Sequence, residues 1–210
     1  MKNWVIALLI TFPAFTVSSA TLSMQNGVEL LALNGKKTES KNNPIALRDG
    51  KNQIVIRVYK EFSKGSNSDL FSSSPYILTF DEQGADIVVA LPGRINDYRK
   101  VEKEFRSKDK QHFELKMGAS NLQYTSDPLR GNGGFIPYSN LEELIAIYNQ
   151  DNGIAVSREA VVDLQEAAVT VQENGEVEIT GDSITQLKLW YTKATKEERK
   201  TFRKWMIDQE

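Results

Sequence analysis

The chain has 210 residues, 40% hydrophobic and 26% charged, with a formal net charge of −2. That composition fits an ordinary globular protein and lacks the basic excess of a nucleic-acid binder. With no cysteine and one histidine, His112, it excludes disulfides, thiol catalysis, zinc–thiolate sites, a lipidated cysteine and any multi-histidine metal site.

Residues 1–20, MKNWVIALLITFPAFTVSSA, read as a secretory signal peptide. Lys2 supplies the positive start, Trp4–Phe15 a short apolar run, and Ser18 and Ala20 the small residues before a cleavage site. The run is too short for a comfortable membrane span, and no later run approaches spanning length. The expectation is an exported product beginning at Thr21, periplasmic if the cell has an outer membrane, with packing alone to hold it together.

Residues 21–93 read as an all-β region. Its best strand follows the Asp49-Gly50 turn: Ile54, Ile56 and Val58 alternate with Val55, Arg57 and Tyr59, giving one aliphatic and one mixed face. Burying the three aliphatics supplies roughly 4–9 kcal/mol as an upper bound. Thr21–Ser23, Val28–Leu33, Tyr76–Phe80 and Ile87–Leu91 are the other predicted strands, separated by Asn-Gly and Gln-Gly turns and a serine-rich connection, Ser63–Ser74. Asn34-Gly35 either closes a tight hairpin or ends a strand before the looser Lys36–Pro44. Short strands at this spacing predict a sandwich.

Residues 94–210 form a mixed region expected to make one unit with 21–93. Ile95, Tyr98, Val101 and Phe105 place an amphipathic helix over Asp97–Lys110. His112–Met117 alternates, Leu122–Tyr124 is a possible antiparallel return, and Asp127-Pro128 opens a glycine-rich loop. Ser139-x-x-Glu142 predicts a capping box for a helix with Leu141, Leu144, Ile145 and Tyr148 in one stripe, ended by Gly153. Ser157–Ala168 is read as a further helix. AVTVQENGEVEIT is a hairpin, and a three-residue loop is preferred because it sets Val171 opposite Val177 and Val169 opposite Ile179. Two C-terminal helices follow, capped by Ser183-x-x-Gln186 and Thr195-x-x-Glu198. The first is expected to bury Ile184, Leu187, Trp190 and Tyr191, with Phe202, Trp205 and Met206 in line on the second. The fold class is therefore α+β: an N-terminal antiparallel sandwich-like region, a mixed middle and a C-terminal helical pair packed on it.

VELLALNGKK at 28–37, LRDGKNQIVIRVYK at 47–60, SSPYILTF at 73–80 and LKLWYTKATKEERKTFRKW at 187–205 resemble the YccT-like family of secreted bacterial proteins of unknown function. The resemblance covers both ends of the mature chain in the same order. It implies export in Gram-negative bacteria and supplies no catalytic or ligand-binding residues.

No catalytic, cofactor-binding or metal-ligating residue is assigned from the sequence, and no cofactor is expected. His112 lacks the nucleophile and orienting partner that catalysis needs, and there is no G-x-S-x-G elbow. Glu142 and Glu143 are helix neighbours that do not face each other. Gly131–Gly134 lacks the Lys-Ser/Thr of a phosphate loop. Trp190, Tyr191, Phe202 and Trp205 are the densest aromatic cluster, read as core unless exposed, in which case they mark a partner surface. Three classes remain: a non-catalytic module binding an envelope or secreted protein or a glycan, a chaperone-like assembly inhibitor capping strands of a secreted polypeptide, and a carboxylate hydrolase. An edge strand without lysine or proline would favour the second class.

Overall fold

The computed structural model describes residues 20–42, 44–107, 110–157, 161–164, 169–171, 177–179, 182–207 and 209. Strands β1 (Thr21–Met24), β2 (Val28–Leu33), β3 (Lys36–Lys37), β4 (Ile45–Ala46), β5 (Gly50–Lys64), β6 (Asn67–Ser72), β7 (Tyr76–Glu82) and β8 (Ile87–Ala90) come first. Helix α1 (Tyr98–Arg106) precedes β9 (Glu114–Met117), β10 (Ser120–Asn121) and β11 (Thr125–Pro128). Helix α2 (Leu141–Asp151) is followed by β12 (Ile154–Val156), β13 (Val161–Asp163), β14 (Val169–Val171) and β15 (Val177–Ile179), then by α3 (Ser183–Lys193) and α4 (Lys196–Ile207). The α+β class is as the sequence predicts. The predicted leader lies outside the described residues, apart from Ala20.

Two sheets face each other. One has the order β10-β9-β8-β1-β4; the other has β11-β7-β5-β2-β3, with β6 also paired to β5. Pairing in these sheets is antiparallel except between β1 and β8, where Leu22 lies beside Ile87 in parallel register. Leu22, Ile87, Val89 and Leu115 of the first sheet pack against Leu30, Ile54, Ile56 and Leu78 of the second. The supposed mixed face of β5 is also partly covered: Val55 joins Ile77, Leu144 and Ile145 in a second core beneath α2. A bulge at Leu31 breaks the alternation of β2, so that Leu30 serves the first core while Leu31 and Ala32 serve the second.

Several local expectations change. Asn34-Gly35 does close the hairpin, with both residues at positive φ (48° and 79°) as a tight primed turn requires. The serine-rich connection is instead a hairpin: β5 continues to Lys64 and returns as β6 through Gly65-Ser66, with Gly65 at φ 68°. Polar side chains hid this strand because only Phe71 on it packs against the core. Helix α1 ends at Arg106, since Ser107 is extended. Asp127-Pro128 ends β11, paired to Ile77 and Tyr76, and does not open the loop. Val161–Asp163 is a strand paired to Ile154–Val156, not helix, while Leu164 after it is helical; residues 158–160 and 165–168 of the predicted helix lie outside the described set. Its β-branched valines suit a pleated surface better than a helix. The β14–β15 hairpin has the preferred register, Val171 opposite Val177 and Val169 opposite Ile179.

No helix among the described residues is long and apolar enough to cross a membrane.

Candidate functional site

A cleft of about 920 Å³ opens between the β2–β3 turn, β12, α2 and the C-terminal helices, with Lys36, Arg48, Glu142, Asn149, Tyr191 and Arg199 on its walls. Two of its lining amides, Asn34 and Asn149, are held from beneath by the buried amides of Asn52 and Gln53. The buried Asn52 amide donates to the carbonyls of Arg48 (2.7 Å) and Gly50 (3.0 Å), and its oxygen accepts from Asn34 (2.9 Å). Gln53 and Asn149 exchange two hydrogen bonds of 2.6 and 3.1 Å, tying β5 to α2 in the interior. Such buried polar groups persist because each is satisfied.

Glu142 does not close the predicted capping box. Helix α2 starts at Leu141 with Asn140 at its cap, and Glu142 accepts from the Lys37 backbone N–H (3.0 Å) and the Lys36 ammonium (3.4 Å). The Lys37 N–H, then the Lys36 charge, hold its carboxyl below the usual range. A general acid needs the opposite shift. Arg48 donates to the Ser157 carbonyl at 2.8 Å. Arg199 donates to the Ala194 carbonyl at 2.9 Å and lies 5.6 Å over the Tyr191 ring.

The second feature is the C-terminal helical pair. Asp182, not Ser183, caps α3 by accepting from the Thr185 N–H at 2.8 Å. The Thr195–Glu198 box at the start of α4 forms as predicted, with Thr195 N–H on Glu198 (2.7 Å) and Glu198 N–H on the Thr195 hydroxyl (3.3 Å). The expected burial is overturned at Ile184, Leu187 and Trp190, while Tyr191 and Phe202 are half-buried. Trp190 is 64% exposed, Ile184 59%, Leu187 50% and Trp205 55%, and α4 has no buried residue. Helix α3 turns Leu189 inward instead, onto Leu164 with Ala155 and Val162 alongside. That small patch accepts one leucine, so Trp190 and Trp205 are left facing out. Phe202 lies 6.4 Å from Tyr191 and stacks on Trp205 at 5.6 Å. Between the two helices runs a groove of about 410 Å³, walled by Leu187, Trp190 and Phe202. Tyr191 and Arg199 line both the cleft and the groove, so the two adjoin.

His112 is fully buried, stacked on Phe105 (4.6 Å) and edge-on to Tyr76 (5.2 Å). Its Nδ1 is 3.6 Å from Glu104, which pairs with Arg94 at 3.0 Å. Burial pushes its pKa down, against the pull of Glu104. The ring is a packing element, out of reach of a substrate. The glycine loop hides a feature that the sequence reading missed: Phe135 is wholly exposed and Ile136 67% exposed. The Asn132 N–H donates to the Pro137 carbonyl (2.8 Å), pinching the loop base beneath them. An apolar pair between glycines and a proline was the available signal. Among the described residues no group of three His, Asp or Glu is placed to hold a metal ion.

A family model described as "Uncharacterized protein conserved in bacteria (DUF2057)" matches residues 21–205. The chain belongs to this family. Among its DUF2057-type relatives, the chain is similar to UPF0319 protein VV2327 of Vibrio vulnificus (strain YJ016), 34% identical over 200 residues and 94% of each chain. It is similar also to UPF0319 protein VP1009 of Vibrio parahaemolyticus serotype O3:K6 (strain RIMD 2210633), 33% identical over 220 residues, covering 100% of this chain and 99% of the relative. A UPF0319 protein of Glaesserella parasuis serovar 5 (strain SH0165) is 28% identical over 213 residues and 98% of each chain. No solved structure matches. The DUF2057 match runs from the first residue of β1 into α4, so cleft and groove both lie inside the family unit.

Proposed function

We propose that the protein is exported and acts as a non-catalytic binding module of the bacterial envelope, with the outer face of α3–α4 and the adjoining cleft as its contact surface. The observation that carries this reading is the exposure of Trp190 and Trp205, large apolar side chains that a monomer has reason to bury. Export is supported by the leader pattern, by the resemblance to YccT-like secreted proteins, and by the position of Thr21. That residue follows the predicted cleavage site and begins both β1 and the family match.

The strand-capping alternative draws less support. The edge strands β3, β4 and β10 have two residues each, β3 is a pair of lysines, and β11 ends in Pro128. Of the described edges only β6, six residues long, offers a partner strand a useful length, and having no lysine or proline it is the one observation that favours this alternative.

Photo-crosslinkers at Trp190 and Trp205, with one at exposed Glu39 as a control, test the binding reading in intact cells. Adducts from the two helix positions alone are expected. Equal labelling from Glu39, or none, overturns it. Intact mass tests export: the secreted chain should begin at Thr21, and a secreted chain retaining Met1 sinks that part.

A further inference from the structure

We infer that the partner of the α3–α4 face is the headgroup region of an anionic phospholipid bilayer, on which the helical pair lies without crossing. The inference rests on the binding-module reading and names its partner. Its first support is the side-chain sorting along the helices. Phe202, Trp205 and Met206 recur at i, i+3 and i+4 on α4, and Leu187, Trp190 and Tyr191 do the same on α3. The second is charge. Residues 183–207 carry seven Lys and Arg against Glu197 and Glu198 alone. The rest of the mature chain up to Asp182 is acidic: setting aside Lys2 and those seven leaves 18 basic residues, against 24 acidic ones once Glu197, Glu198, Asp208 and Glu210 are set aside. Within an overall acidic protein, the local charge balance is thus net positive beside this exposed apolar stripe.

Bilayer interfaces select this combination. Tryptophan and leucine enter the headgroup boundary, and lysine and arginine stay at the phosphate level with their stems along the apolar face. Lys193 is 5.8 Å over the Trp190 ring and Arg199 is 5.6 Å over Tyr191, so cations already sit at the rim of the apolar groove. A second copy of the chain fits less well, because matching groove to groove would bring fourteen basic side chains together. Both helices are short and α4 has no buried residue, which suits shallow lodging in an interface and rules out a span by either helix.

Trp4, Trp190 and Trp205 are the three tryptophans, so in a chain cleaved after Ala20 intrinsic fluorescence reports on this face alone. The exported full-length product is mixed with vesicles of neutral phosphatidylcholine, or with the same lipid carrying about one-third phosphatidylglycerol. Flotation and tryptophan emission are read at low and high salt. Expected are flotation and a blue shift with the anionic vesicles, at least tenfold weaker with neutral ones, and weakening with salt. The triple variant Lys200→Glu/Arg203→Glu/Lys204→Glu should bind about a hundredfold more weakly, at roughly fivefold per basic side chain. Trp190→Ser/Trp205→Ser should not float, and both variants should melt like the parent. Equal binding to neutral vesicles, or anionic binding that these variants do not change, overturns the inference. So does loss of binding through Phe135→Ser alone, which would move the contact to the glycine loop. A blue shift that grows with protein concentration without vesicles identifies a second copy as occupant. Vesicles that stay unbound while Trp190 cross-links to an envelope protein in cells overturn the lipid partner and leave the binding module standing. Failure of both experiments removes both.

Discussion

Strand β5 and the helical pair α3–α4 are both amphipathic by sequence, and they meet opposite fates. In β5, Ile54, Ile56 and Val58 vanish between the sheets, and Val55 is covered by α2. In α3–α4, with more aromatic surface, Leu189 alone is buried. An apolar period states that a face prefers to leave water; it does not state what covers it. β5 has neighbours on both sides within the chain, whereas among the described residues α3 and α4 bury one leucine, on the patch around Leu164, and otherwise meet the body across the cleft beside α2. The first region is closed within the chain, and the second leaves most of its apolar face to solvent.

The comparison breaks most visibly if the β5 core is not where stability resides. Ile56→Ala should cost about 2–5 kcal/mol in chemical denaturation, through lost transfer energy and the cavity left between the sheets. A loss near zero would contradict the two-core architecture. Next in size is the amide pair that ties β5 to α2. Gln53→Met keeps the volume but strands the buried Asn149 amide, costing about 1–3 kcal/mol. The double variant Gln53→Met/Asn149→Leu should recover part of that, because no polar group then remains unpaired. If the double variant is as unstable as the sum of the singles, the two amides do not act as one unit.

What was legible in the sequence follows the same division. Apolar runs between turn signals located β1, β2, β5, β7 and β8, and cross-strand logic set the register of β14–β15, because in each the signal is carried by the strand's own side chains. Strand β6 was not legible, since Asn67, Ser68 and Ser72 show no apolar alternation and its pairing comes from the turn at Gly65. The role of Glu142 was misread for a related reason. A capping box is a local motif, and a backbone N–H more than a hundred residues away in sequence, at Lys37, competes for the same carboxylate. The site was half legible: the aromatic cluster was visible, but its exposure depends on how little surface the body presents to it.

A smaller effect depends on pH and separates the two regions without touching either apolar face. Burial holds the His112 pKa in the folded chain below its ordinary value of 6.5. As pH falls past that value, the unfolded chain takes up a proton that the folded chain refuses. The stability owed to the neutral ring is therefore full above about pH 6.5 and is lost as pH falls toward and through the folded value. His112→Phe, which keeps the stack on Phe105, should flatten that part of the pH–stability curve. Denaturant midpoints measured across pH 4.5–7.5 (roughly two units below the ordinary value and one above) check it. An unchanged slope would mean that another group carries the acid sensitivity.

The smallest expected effect is the most informative. Had the aromatic stripe been core, Trp190→Ala would cost about 3–5 kcal/mol. With Trp190 64% exposed and Trp205 55% exposed, each truncation should fall within about 0.5 kcal/mol of the parent. A residual cost would come from the Trp205–Phe202 stack or from Lys193 over Trp190, contacts that solvent largely surrounds. Melting and denaturant curves of the two variants, taken beside Leu189→Ala, make the test internal to one helical pair. Leu189→Ala should destabilise by about 2 kcal/mol or more, since it empties the only apolar anchor that α3 places in the body. If Trp190→Ala proves as costly as Leu189→Ala, the stripe is covered within the chain and the contact surface must be sought elsewhere. If it is silent in stability and deficient in binding, the exposed tryptophans are retained for what they touch outside the molecule.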